Sequence, residues 1–174
     1  ANQLVWLFLA FLYLLFRNFD FSVWFKKIRL TAWLPLQTIG IFLLIALAMD
    51  IFHLLTYQFA NPAIPSLPGI FSRLDLSLIL YSLLNGFYEE IFFLGICLTV
   101  KPEHQKWAFL YSLIIRFSFH TYQGLGAAFG IGILMGSIFY FLYKKMGQKN
   151  LLPFFLAHAI ADMIGLSIIF YFWQ

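Results

Sequence analysis

Charge is what this sequence has least of. Only 10% of its 174 residues are Asp, Glu, Lys or Arg, against 63% hydrophobic and 21% aromatic residues, and the mean hydropathy is +0.87. That balance excludes an ordinary water-soluble domain and points to an integral membrane protein. The net charge of +4 makes no basic face, because the cations fall between apolar runs. It excludes a nucleic-acid footprint and reads as a topology signal. Cysteine is nearly absent: Cys97 stands alone inside an apolar run, so no intrachain disulfide can form. The first apolar run ends in Arg17-Asn18-Phe19-Asp20, with no small-x-small cleavage site and no basic leader, so it does not read as a signal peptide. The chain opens at Ala1 directly in apolar sequence, and the expectation is that N-terminal residues, even whole helices, precede it. Soluble domains, repeats and low-complexity segments are also missing.

What is present is a series of apolar runs of near-membrane length. A crossing needs ~20 residues at ~1.5 Å each. The expected fold is all-α: a polytopic membrane helix bundle of about six transmembrane helices, forming one integral membrane domain over residues 1–174. The expected spans are Leu4–Phe16, Leu36–Phe59, Leu74–Val100, Trp107–Tyr122, Leu125–Tyr143 and Leu151–Trp173. Asp20–Leu30 carries Trp24, Lys26, Lys27 and Arg29, which suits a segment lying on the membrane surface. Ala60–Ser72 holds Pro62, Pro65, Pro68 and Gly69 and reads as a loop. Asn85-Gly86 permits a bend, and Gly132-x-x-x-Gly136 permits close helix approach without implying activity. With alternating ends, one side receives Arg17, Lys26, Lys27, Arg29, Lys101, Lys106, Lys144, Lys145 and Lys149, and the other only Arg73. By the positive-inside rule the first side is cytoplasmic, and both ends of the segment point outward.

Against that background the buried polar residues stand out. Glu89 and Glu90 are adjacent inside the third run, where each ionisable group costs ~2.5–3.5 kcal/mol on insertion scales. Helix rise puts Glu90 roughly 15 Å from the cytoplasmic end of its run, Arg116 and His120 at about 14 and 20 Å, and His158 and Asp162 at about 10 and 16 Å. All fall in one slab, mainly in the cytoplasmic half. His158 and Asp162 are i,i+4 and share a helix face, as do Arg116 and His120. Glu89 and Glu90 lie about 100° apart round their helix, so they have different tasks. Two carboxylates and two imidazoles are the parts needed to activate water: a carboxylate takes the proton, and imidazoles hold the water or stabilise an oxyanion. The same set suits a divalent metal such as zinc, with Glu89, His120 and His158 as ligands, although no His-Glu-x-x-His is present and no local spacing demands a metal. Asp50 and His53 read as a structural i,i+3 pair. The abundant phenylalanine reads as packing and lipid-facing surface.

Three segments, in order, resemble the motifs of the CPBP (CAAX-protease and bacteriocin-processing, or Abi) family. They are Glu89-Glu90-Ile-Phe-Phe-Leu-Gly95, Arg116-Phe-Ser-Phe-His-Thr-Tyr-Gln-Gly124 and His158-Ala-Ile-Ala-Asp162, within a region of about 74–166. The family patterns are Glu-Glu-x-x-x-Arg, Phe-x-x-x-His and His-x-x-x-Asn or Asp. The resemblance implies an intramembrane endopeptidase in which Glu89 and His120 activate water while His158 and Asp162 stabilise the oxyanion. Glu90 and Arg116 are supporting residues. It leaves open a metal-free glutamate mechanism or a metal-dependent one. Two positions depart from the pattern: Leu94 stands in place of Arg and Arg116 in place of Phe. Arg116, at a similar depth on the neighbouring helix, takes over neutralisation of Glu90.

The expected function is hydrolysis of a peptide bond in a membrane-associated peptide, lipidated or not, near the cytoplasmic face, in a bacterial-type plasma membrane. The expected partners are the lipid bilayer and that peptide, with no nucleic acid. The alternatives are a non-enzymatic immunity or scaffold protein that keeps the pocket and an ion-coupled transporter; against the latter, no inverted repeat is visible.

Overall fold

A computed structural model describes residues 2–56, 74–96 and 100–169. The proline-rich connection expected over 60–72, Cys97 and the end of the sixth expected span lie outside the described residues. The described residues form helices with no strands among them: α1 (Asn2–Phe16), α2 (Leu34–Thr56), α3 (Leu76–Gly95), α4 (Gln105–His120), α5 (Leu125–Lys145) and α6 (Leu152–Ile164). Local chemistry sets several ends. Asp75 caps α3, accepting from the Leu78 amide at 2.7 Å. Pro153 sits in the first turn of α6, where a missing amide hydrogen costs nothing. Gly165, at φ +89°, ends α6, its N–H returning to the Ala161 carbonyl at 2.8 Å.

Each expected span contains a helix, but among the described residues only α2, α3 and α5, of 23, 20 and 21 residues, are long and apolar enough to cross a membrane. The helices α1, α4 and α6 have 15, 16 and 13 residues. The shortfall in α6 has a definite cause: Gly165 breaks the helix in the middle of an apolar run, and the chain after it turns back onto α2. There the buried Asp50 accepts from Ser167 Oγ at 2.6 Å and from the Ile168 and Ile169 amides at 2.8 Å each. Asp50 therefore anchors the segment after α6.

Glycines bring the helices together. A Cβ on Gly86 would lie 2.5 Å from the Phe155 carbonyl and 3.0 Å from the Ala159 nitrogen, so α3 crosses α6 in near backbone contact. Gly86 thus serves close crossing inside a continuous helix, where the sequence suggested a bend. A Cβ on Gly132 would lie 2.5 Å from the Phe117 Cα, and one on Gly136 would press on Leu113 and the Arg116 stem, so the two glycines let α4 seat on α5. The core between these contacts is apolar: Ile45 and Ala46 of α2, Leu94 of α3, Phe139 of α5 and Phe154 of α6 are all nearly inaccessible. The outer surface is equally apolar, with Leu47, Leu54, Ile114, Phe129 and Phe141 exposed. In water such a surface would be a liability; in lipid it is the matching face.

At one end the polypeptide between α1 and α2 docks on the α5–α6 turn. Asn150 exchanges hydrogen bonds with the Arg29 backbone at 2.9 and 3.0 Å, and the Leu151 amide donates to the Lys27 carbonyl at 2.6 Å. The end of α3 is there too, since a Cβ on Gly95 would touch Leu151 at 3.4 Å. Lys27, Arg29 and the lysines that end α5 therefore occupy one end of the bundle.

Candidate active site

The adjacent glutamates of α3 have different surroundings, as their angular separation requires. Glu90 points into the bundle and is wholly buried. One of its oxygens accepts from Arg116 Nη2 of α4 at 2.7 Å, and the other lies 2.6 Å from His158 Nδ1 of α6. The oxygen is a carboxylate's, already engaged by a guanidinium on its other side, so the imidazole nitrogen is the donor. Arg116 is 1% exposed. Its guanidinium lies over the Phe93 ring at 4.2 Å and near Phe139 at 5.8 Å. One carboxylate thereby joins three helices.

Glu89 faces a cavity of about 480 Å³. Its Oε2 lies 3.9 Å from His120 Nε2 and 3.9 Å from His158 Nε2. Neither distance is a hydrogen bond. Glu89 Oε2 and both ring nitrogens of His120 are buried without a hydrogen-bond partner among the described residues. Asp162 stands across the site, with Oδ1 3.7 Å from His158 Nε2 and Oδ2 accepting from Asn85 Nδ2 at 2.9 Å. The structure thus gathers Glu89, Glu90, Arg116, His120, His158 and Asp162 in one place, from three helices held together by the glycine contacts. Asp50 is committed elsewhere, and His53 is half-buried on α2.

Sequence reasoning passed over Asn85 as a site residue, although it stands four residues before Glu89 and so shares its face. It also passed over Tyr81, Tyr88, Tyr122 and Gln123, which line the cavity with Phe119. Nothing in the spacing of those side chains marks them in advance.

A family model described as type II CAAX prenyl endopeptidase Rce1-like matches residues 71–164, which contain the three motifs and the whole cluster. The chain belongs to that family. Its members are CAAX-type proteases, which agrees with the three membrane-length helices among the described residues. No curated protein and no solved structure matches the chain. For a divalent metal, which the sequence left open, the side chains do not fit. Among the described residues no three His, Cys, Asp or Glu side chains are arranged to hold an ion, Glu89, His120 and His158 included.

Proposed function

We propose that this protein is an intramembrane endopeptidase that hydrolyses a peptide bond in a membrane-associated peptide or protein, using water activated by Glu89 and His120. The observation that carries the reading is the set of unpartnered polar atoms on the cavity floor: Glu89 Oε2 equidistant from two imidazole nitrogens. A water between Glu89 and His120 gives those atoms their missing partners. Glu89 takes its proton as the oxygen attacks the scissile carbonyl, and the negative charge that develops on the carbonyl oxygen needs a donor. Asp162 as a carboxylate has no hydrogen to give, and one of its oxygens already accepts from Asn85. Donation therefore falls to His158, which Glu90 holds at Nδ1 and Asp162 steadies from the other side. Glu90 and Arg116 keep His158 in place. Six helices form one domain in this reading, with the basic turns cytoplasmic and the reacting groups in the half of the membrane nearer them.

The test is cleavage of quenched-fluorescent peptides by the purified protein in lipid. Glu89→Gln should lower the rate by ~10²–10⁴ while leaving the fold intact, because Glu89 Oε2 has no partner to lose. Full activity in Glu89→Gln would reject the mechanism, and absence of any hydrolysis by the parent protein would favour a non-enzymatic scaffold. Activity should also survive a zinc chelator; inhibition reversed by added zinc would show that the metal-free route is wrong.

A further inference from the structure

Donation to the oxyanion makes a demand on His158. Its Nδ1 hydrogen is already given to Glu90 at 2.6 Å, so Nε2 can donate only if the ring carries a hydrogen on both nitrogens. Two carboxylate oxygens stand just outside bonding range of Nε2: Asp162 Oδ1 at 3.7 Å and Glu89 Oε2 at 3.9 Å. Asp162 is the nearer of the two, one turn beyond His158 on α6. A small side-chain rotation would carry one of its oxygens to about 2.8 Å from Nε2, a charge-assisted hydrogen bond stronger than a neutral one. The donor would then be taken before any scissile carbonyl arrived.

What holds Asp162 off is Asn85. It stands on a different helix, α3, and its Nδ2 donates to Asp162 Oδ2 at 2.9 Å. The partner is a carboxylate, which only accepts, so the amide must present its nitrogen. The residue next to Asn85 fixes where that amide stands. At Gly86 the helices α3 and α6 cross in near backbone contact, and a Cβ there would lie 3.4 Å from His158 Cβ. The crossing that brings His158 to Glu90 therefore also sets the reach of Asn85 to Asp162. Both residues line the cavity, so their bond sits in the wall against which a substrate would lie.

We propose, building on the peptidase reading, that Asn85 is a positioning residue. It ties Asp162 back, so that this carboxylate steadies the charge on His158 from 3.7 Å without consuming the Nε2 hydrogen. Asn85 acts through Asp162 and not on the substrate.

Asn85→Leu keeps the size of the side chain and removes the donor. With quenched-fluorescent peptides and the protein in lipid, kcat should fall by ~10–10³-fold, loss of an oxyanion donor setting the upper end, while KM stays nearly unchanged. A raised KM with kcat intact would make Asn85 a substrate contact and overturn the proposal. Reversing the pair is the sharper test. Asn85→Asp alone sets two carboxylates against each other and should be at least as slow as Asn85→Leu. Adding Asp162→Asn again sets one amide against one carboxylate and should raise the rate at least several-fold; no recovery would overturn the proposal. The contact can also be read without turnover, from ¹⁵N-histidine NMR spectra, because the chain has only four histidines and each can be assigned by substitution. In Asn85→Leu the His158 Nε2 resonance should move as Asp162 bonds to it, and an unmoved resonance would refute the restraint. Each of these failures is distinct from that of the hydrolytic reading, which falls if the parent protein cuts nothing or if Glu89→Gln cuts as fast.

Discussion

Replacing Arg116 with leucine removes the guanidinium that donates to Glu90 at 2.7 Å, where both side chains are shielded from solvent. For charge centres about 4 Å apart, an effective dielectric of ~20 gives an attraction of about 4 kcal/mol. Breaking one side of a buried pair typically costs ~3–5 kcal/mol, because the remaining charge stays buried and uncompensated. The stacking of Arg116 on Phe93 at 4.2 Å is lost as well, a smaller effect of ~0.5–2 kcal/mol. For a chain of this size the main loss corresponds to a fall of roughly 6–20 °C in the unfolding midpoint. The assay is thermal unfolding of the purified protein in mild detergent. The second half of the test adds Leu94→Arg. Leu94 is 2% exposed and stands four residues after Glu90, so an arginine there can approach the same carboxylate from its own helix. Arg116→Leu with Leu94→Arg should recover part of the loss, with a coupling energy of ~0.5–3 kcal/mol between the two sites. Strict additivity of the two changes, or an unchanged midpoint in Arg116→Leu alone, would refute the idea that an arginine on α4 replaces one on α3.

Other perturbations follow from single contacts. Gly86→Ala puts a methyl group 2.5 Å from the Phe155 carbonyl, so it should destabilise by ~1–3 kcal/mol and separate His158 from Glu89; a neutral result would mean that α3 and α6 are less tightly crossed. Asp50→Ala leaves the Ser167 hydroxyl and the Ile168 and Ile169 amides without their acceptor, costing about 2–4 kcal/mol. Limited proteolysis should then cut after Gly165, and unchanged resistance would contradict the anchoring role. Asp162→Asn keeps a side chain that can still accept from Asn85, so the cleavage rate should stay within ~10-fold, whereas Asp162→Leu should lose considerably more. Equal rates in the two variants would remove Asp162 from the site.

How far the fold could be read depended on how local its determinants were. Apolar runs and the turns between them placed a helix in every expected span, since both are properties of neighbouring residues. The i,i+4 spacing of His158 and Asp162 put both on one face, and the structure brings them within 3.7 Å. The end of α6 was not legible because Gly165 lies in an unbroken apolar run, and Asp50, which receives the chain after it, is more than a hundred residues earlier in sequence.

The glycines show how packing becomes chemistry in this chain. Read alone, Gly132-x-x-x-Gly136 is a common membrane-helix pattern that says nothing of activity. In the structure those two residues let α4 lie against α5, with Phe117 backbone atoms where a Cβ would be and the Arg116 stem against Gly136. That approach fixes α4, and with it Arg116 beside Glu90 and His120 beside Glu89. Gly86 does the same for α6 and His158. A side chain reaches only a few ångströms, so charged groups on three helices meet only if the backbones come close enough, and the small residues set that distance. The motifs name the reacting groups, but their convergence on one cavity floor depends on residues with no reactive chemistry.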